Sequence, residues 1–337
     1  MSAPTPDRRQ ALASLGGAAA LLALTPRIAR AADAALSTLP EADYTEQAPM
    51  ADVMAAEDSS RRMTAPVMVD GRGPFDFVVD TGTNRTVLSN ELAASLELAA
   101  GPTAIVHGIG GVVTARTVKI DSLKIGEREA RRLHLPSMPA KMLGGAGLLG
   151  VDGLKNQRVV LDFLQVRLQI EPSSKRWAGA ESSVVAATRR FGQLTMVDTD
   201  LDGRQVAVIV DTGSEATIGN SQLRSMMVRN SRDESRLSEV ELIGATGQMA
   251  LGQFGGVPLF RLGKLTIGNL RVVYSDLHTF ELWGLHKRPA MILGMDVLRH
   301  FDGVAIDFGK SEVRFVIPKD TRIDPAGDSR WPSRFRG

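Results

Sequence analysis

The chain has 337 residues, with 40 Lys and Arg against 38 Asp and Glu, for a formal charge of +2. Arg8, Arg9, Arg27 and Arg30 against Asp7 place +3 in the segment up to Ala31, so the remainder is near −1 and offers no basic footprint for nucleic acid. Cysteine is absent, so the fold rests on its core and not on disulfides.

The chain opens with Arg8-Arg9, an apolar alanine-rich run from Ala11 to Leu24, and small residues at Ala29-Arg30-Ala31. This order is similar to a twin-arginine export signal over positions 1–31, which implies a periplasmic protein. The run from Ala11 to Leu24 is shorter than the roughly 20 residues that a permanent membrane helix needs, so only a retained segment would tether the protein to the inner membrane. Residues 32–62 are acidic and alanine-rich, with Pro40 and Pro49 breaking any long helix, and no function is assigned to them. The chain that follows the leader is long enough for two domain-sized units.

Within it one order of parts occurs twice. A hairpin signal (Met68-Val69-Asp70-Gly71; Asp200-Leu201-Asp202-Gly203) leads into a β-branched apolar strand that ends in a carboxylate and a glycine. These endings are Asp80-Thr81-Gly82 and Asp211-Thr212-Gly213. A short helix follows each (Asn90 to Leu98; Asn220 to Met227), then a glycine-rich hairpin tip. The tips are His107-Gly108-Ile109-Gly110-Gly111 and Ile243-Gly244-Ala245-Thr246-Gly247. A second hairpin is expected at Leu123 to Glu127 and at Leu265 to Asn269. Leu148-Leu149-Gly150-Val151-Asp152 then matches Ile292-Leu293-Gly294-Met295-Asp296, and Val160-Leu161-Asp162-Phe163 matches Ala305-Ile306-Asp307-Phe308.

The step from Asp80 to Asp211 is too long for a solenoid unit and predicts two duplicated lobes, 63–172 and 191–317. Residues 173–190 read as the linker, and the proline-containing, charged residues 318–337 as a tail. The second copy is longer between its Asp and its closing glycine (Asp211 to Gly294) than the first (Asp80 to Gly150), the extra length falling in loops. Short apolar strands separated by Gly and Asp-Gly turns, with few helices, predict an all-β fold.

The paired Asp-Thr-Gly segments, glycine-rich tips and apolar-apolar-Gly segments resemble the aspartic peptidases, specifically a fused single-chain relative of the retropepsins. The resemblance spans residues 63 to 317 and implies two pseudo-symmetric β-barrel lobes with an active-site cleft between them. It makes Asp80 and Asp211 the catalytic pair, one acting as general base on a water and the other as acid toward the peptide carbonyl. By the same resemblance Thr81 and Thr212 bond across the lobe interface, while Gly82 and Gly213 let the backbone approach the carboxyls. Gly150 and Gly294 lie where a strand passes behind each Asp loop, and residues Gly108, Ile109, Gly110, Gly111, Gly244, Ala245, Thr246 and Gly247 form substrate-covering flaps.

Other signals are weaker. Gly145-Ala146-Gly147-Leu148-Leu149-Gly150 satisfies a dinucleotide pattern but has no long helix after it, and Asp198 to Ile209 lacks the closing Glu of a calcium loop. The five histidines have no metal-ligand spacing, so no metal or cofactor is expected, and His107 at a flap tip is expected to be solvated. Phe280 to Pro289, with Trp283, His286 and Arg288, has no counterpart in the first half and reads as a surface loop, the alternative being a specificity element lining the cleft. The expected activity is that of a monomeric aspartic endopeptidase acting on protein or peptide in the cell envelope. The alternative is a non-catalytic peptide-binding module on the same fold.

Overall fold

The computed structural model describes residues 43–44 and 50–318, apart from Ile109, Gly153, Lys155, 191–192, 197–198 and 229–230. The expected leader, the tail from residue 319 and flap residue Ile109 lie outside the described residues. No described helix is long and apolar enough to cross a membrane.

Two β-barrel lobes are built in the same strand order. In the first, Met63–Val69, Arg72–Val79, Gly147–Leu149, Val87–Ser89, Arg128–Met138 and Gly111–Ile125 pair in sequence, and the last returns to the first. In the second, Gln193–Met196, Ala207–Val210, Ala290–Leu293, Ile218–Gly219, Leu265–Tyr274 and Met249–Leu262 repeat that order, with Thr199–Leu201 pairing back onto Met249–Leu262. Thr64 lies opposite Val78 and Thr195 opposite Ile209, so the offset that relates Asp80 to Asp211 holds in the register as well as in the motif.

The strands that deliver the two Asp-Thr-Gly loops are apolar on both faces. Phe77 and Val79, like Val208 and Val210, point into the main core, whereas Val78 and Ile209 point into separate clusters outside the barrels. A half-buried strand would alternate with polar residues; burial on both faces explains the unbroken β-branched runs. At the preceding turns Asp70 and Gly71 have φ of 49° and 72°, and Asp202 and Gly203 have 52° and 75°. Positive φ at both central residues gives the turn whose twist suits a two-residue hairpin, which is why Asp-Gly recurs there.

A six-stranded antiparallel sheet joins the lobes, in the order Ala51–Met54, Arg167–Pro172, Gln157–Asp162, Gly303–Asp307, Glu312–Val316, Ser182–Arg190. Residues 51–54 come from the segment to which the sequence assigned no function, and 182–190 from the residues read as linker. Arg158, fully buried in this sheet, reaches Glu171 from one hairpin and Asp307 from the other.

Two local expectations are corrected. The hairpin expected at Leu265 to Asn269 turns instead at Gly263 and Lys264, and residues 265–274 are one continuous strand. Gly263 has φ +59°, a conformation that favours glycine, whereas Gly268 is a paired strand residue opposite Leu259. The stretch from Phe280 is not a simple surface loop. Phe280, Trp283 and Leu285 are buried beneath Leu242, Val240 and Ala250 of the second flap hairpin, while Glu281, Gly284, His286, Lys287 and Arg288 are exposed.

Candidate active site

Each barrel presents its Asp-Thr-Gly loop to the other, and the two loops are locked by four crossed hydrogen bonds. Thr81 N donates to Thr212 Oγ1 and Thr212 N to Thr81 Oγ1, both at 3.1 Å. The hydroxyls then donate onward, Thr81 Oγ1 to Val210 O at 2.9 Å and Thr212 Oγ1 to Val79 O at 2.6 Å. Both threonines are buried, so each hydroxyl satisfies backbone groups of the other lobe that water does not reach. A valine has nearly the same shape but neither bond.

This lock brings the carboxyl groups of Asp80 and Asp211 within hydrogen-bonding reach of each other. Each is oriented by its own loop: Asp80 Oδ1 accepts from Gly82 N (2.8 Å) and Thr83 N (3.0 Å), and Asp211 Oδ1 from Gly213 N (2.9 Å) and Ser214 N (3.1 Å). The glycines are wedged between the pair. A Cβ on Gly82 would overlap the Asp211 carboxyl, and one on Gly213 would overlap that of Asp80.

Behind each loop a second carboxylate repeats. Asp152 Oδ1 accepts from Thr86 N (3.0 Å) and Thr86 Oγ1 (2.8 Å); Asp296 accepts from Thr217 N (3.0 Å) and Thr217 Oγ1 (2.8 Å). The same hydroxyls accept from Gly150 N at 3.2 Å and Gly294 N at 3.1 Å. A Cβ at Gly150 would lie 2.5 Å from the Arg85 backbone carbon, and one at Gly294 2.5 Å from Ala216 O. The strand carrying Gly150 runs parallel to that carrying Asp80, and Leu149 O accepts from Asp80 N at 3.0 Å; Leu293 O does the same for Asp211 N at 3.0 Å.

The flap hairpins are 100–125 and 238–262, and their tips touch. Gly108 lies against the side chain of Thr246, and Gly110 against Gln248, so a Cβ at either would collide. The second tip also rests on the first lobe: Ala245 packs on the cluster of Val78, Val87, Leu143 and Leu148, and Gly247 lies beside Met142. The first tip reaches the second lobe through His107, which is half-buried and not solvated. Its Nδ1 is 3.0 Å from His278 Nε2 on helix His278–Leu282, with the rings stacked at 5.3 Å. Gly111 and Gly244 complete the turns, Gly244 N donating to Gln248 O at 3.0 Å.

A cation also enters this site. Arg62 Nη1 donates to Gly213 O (3.3 Å) and Nη2 to Leu143 O (2.9 Å), while Nε donates to Asp58 Oδ2 (2.8 Å). Burial pushes both members of the pair above the ordinary carboxylate range. The nearby charge of Asp211 raises Asp80 further, whereas loop N–H groups and the Arg62 charge oppose the rise at both. Two carboxyls this close cannot both ionise cheaply, so they hold one proton between them and titrate as a unit. Burial likewise raises Asp152, and raises Asp296 to about 7, against the opposing Thr86 and Thr217 bonds.

Two barrel lobes with one Asp-Thr-Gly loop each, crossed by threonine bonds, define a two-lobed acid-protease fold. A profile of the family described as aspartyl protease matches residues 65–152 and 197–297, one match in each lobe. The chain therefore belongs to the aspartyl protease family, in its retropepsin-like, single-chain, two-lobed form. Comparison with curated proteins finds none that matches significantly.

The structure thus brings together Asp80, Thr81, Gly82, Asp211, Thr212 and Gly213, with Gly150 and Gly294 directly behind and the described flap residues meeting at their tips. Sequence reasoning missed Arg62 and Asp58, which lie in the segment before the first lobe. It also missed the roles of Asp152 and Asp296, although their recurrence in matched Gly-x-Asp segments was visible.

Proposed function

We propose that this chain is an endopeptidase that hydrolyses peptide bonds of protein substrates by activating a water between Asp80 and Asp211. The observation that carries the reading is the pair of buried carboxyls in mutual hydrogen-bonding reach at the junction of two lobes, each set against the glycine of the other loop. The ionised member takes a proton from the water, whose oxygen bonds to the peptide carbonyl carbon, while the protonated member gives its proton to the carbonyl oxygen. Collapse of the tetrahedral intermediate returns a proton to the departing amine as the C–N bond breaks. Extended substrate lies beneath the two hairpins, held by main-chain hydrogen bonds.

Both half-sites lie in one chain, which supports a monomeric enzyme. The Arg8-Arg9 leader supports export to the periplasm and substrates in the cell envelope. The test is cleavage of a mixed peptide library read by mass spectrometry, with native protein beside Asp80→Asn and Asp211→Asn. The native chain is expected to cut with a bell-shaped pH profile, and each variant to lose cutting while keeping its circular dichroism. Hydrolysis retained in either variant, or peptide binding without cleavage by the native chain, refutes the reading.

A further inference from the structure

We propose that Arg62 is a positioning residue of this site, a cation that the amino-terminal hairpin delivers to the paired carboxyls so that the pair carries one negative charge when it works. The inference rests on the peptidase reading for its meaning, but its geometry stands without it. Strands Ala56–Glu57 and Met63–Val69 are joined by a tight turn in which Asp58 Oδ1 accepts from Ser60 N (2.9 Å) and Arg62 N (2.8 Å). Asp58 N donates to Arg62 O at 3.0 Å, and Arg61 takes φ 60° to close the turn. The other oxygen of Asp58 then holds Arg62 Nε and Nη2, at 2.8 Å and 2.7 Å. One carboxylate thereby shapes the turn and aims the guanidinium.

The guanidinium spends its remaining donors across the lobe boundary. Its Nη2 bond to Leu143 O stays in the first lobe, while Nη1 reaches Gly213 O in the Asp-bearing loop of the second. Gly213 is the residue wedged against the Asp80 carboxyl, and its N–H orients Asp211. Arg62 therefore grips the residue that touches both acids. With its side chain 12% exposed, its charge is little screened. The charged groups facing it are Asp58 from its own hairpin and Asp80 and Asp211 from the two loops; the helix 140–143 presents a backbone carbonyl. The cation opposes the burial that raises both acids, and the carboxylate of Asp58 beside it weakens its field by simple Coulomb opposition.

The arrangement is one-sided. The register that sets Thr64 against Thr195 makes Gln193 the counterpart of Arg62, so duplication supplied the acids twice and the cation once.

The experiment measures kcat/KM against pH for the full chain and for Arg62→Gln and Arg62→Lys. The carboxyl titration is followed in parallel by carbon-13 NMR, assigned with Asp80→Asn and Asp211→Asn. Arg62→Gln is expected to move the acidic limb upward by about 1 pH unit, the low end for a carboxylate losing a neighbouring arginine, because Asp58 shares the charge. Arg62→Lys, which keeps the charge but not the planar fork, should move it less. Should Arg62→Gln fail to fold, the smaller upward shift in Arg62→Lys decides. Activity lost equally at all pH values, with both limbs and the NMR titration unmoved, overturns the proposal. A native chain that cuts nothing, with the NMR titration still shifted in Arg62→Gln, refutes the peptidase reading and supports this one.

Discussion

Replacing Asp296 by Asn should remove a pH dependence of stability that the fold builds into its second lobe. Asp296 is 2% exposed, and burial raises its carboxyl from the ordinary 3.8 to about 7, against three hydrogen bonds from Thr217 and Val297. Between these values the folded chain holds a proton that the unfolded chain has released. Stability then falls as pH rises, because the state that binds more protons is the folded one. The contribution is complete below pH 3.8 and is lost by about pH 7, and the span of the shift corresponds to about 4 kcal/mol. Asparagine carries no charge to desolvate and fits the same space, at a cost of about 1 kcal/mol for imperfect replacement of the Thr217 bonds. The variant should be less stable than the native chain by about that amount at pH 4 and more stable by about 3 kcal/mol at pH 8. Urea unfolding of both proteins across this range at fixed ionic strength measures the difference, and the contributions of Asp80, Asp152 and Asp211 cancel. A difference that stays constant from pH 4 to 8 would refute the argument.

Three further outcomes are expected. Thr212→Val strands Val79 O and Thr81 N in the interior and should cost about 2–4 kcal/mol in urea unfolding, with kcat falling more than KM rises; Thr212→Ser should restore both. Gly294→Ala forces a Cβ to 2.5 Å from the backbone oxygen of Ala216, which no rotamer relieves, and should cost about 3 kcal/mol or abolish soluble folding, as followed by thermal melting. His278→Ala removes the bond that holds His107 across the lobe boundary, and should speed amide hydrogen exchange in residues 104–108 without changing exchange in 250–262.

The lobes were legible because duplication wrote every signal twice. A single Asp-Thr-Gly is a common turn, but Val78-Val79-Asp80 and Ile209-Val210-Asp211 recur with matched turns and closing glycines, and chance does not reproduce that order. What the sequence hid is pairing at long range. The partners of Arg62 at Leu143 and Gly213 are 81 and 151 residues away, and nothing in Asp58 to Arg62 distinguishes a solvated charged turn from one that reaches a buried site. Ala51–Met54 reads as featureless because its apolar face is short and its strand neighbour, Arg167–Pro172, is distant in the chain. Leu265 to Asn269 misled for a different reason: Gly-Asn is a strong turn signal, but Gly263-Lys264, a few residues earlier, had already turned the chain.

The same comparison of lobes indicates which flap moves. The second hairpin has its inward face, Val240, Leu242 and Ala250, packed on Phe280, Trp283 and Leu285, an apolar cluster that the extra length of the second lobe supplies. Opening it would expose that cluster to water, at roughly 1.5–3 kcal/mol for each large side chain. The first hairpin is backed by less. Val106 and Val113 are only partly buried, and what ties it to the second lobe is the contact of the tips and one pair of imidazoles. Breaking those contacts exposes little apolar surface, so the cheaper route to admit a substrate swings the outer part of the first hairpin, from Ala104 to Ala115, while its base, Val118 to Ile125, stays in the barrel core and the 238–262 hairpin stays in place. Two lobes of common ancestry thus arrive at a static wall and a mobile one, and the insertion that distinguishes their lengths is what makes the wall static.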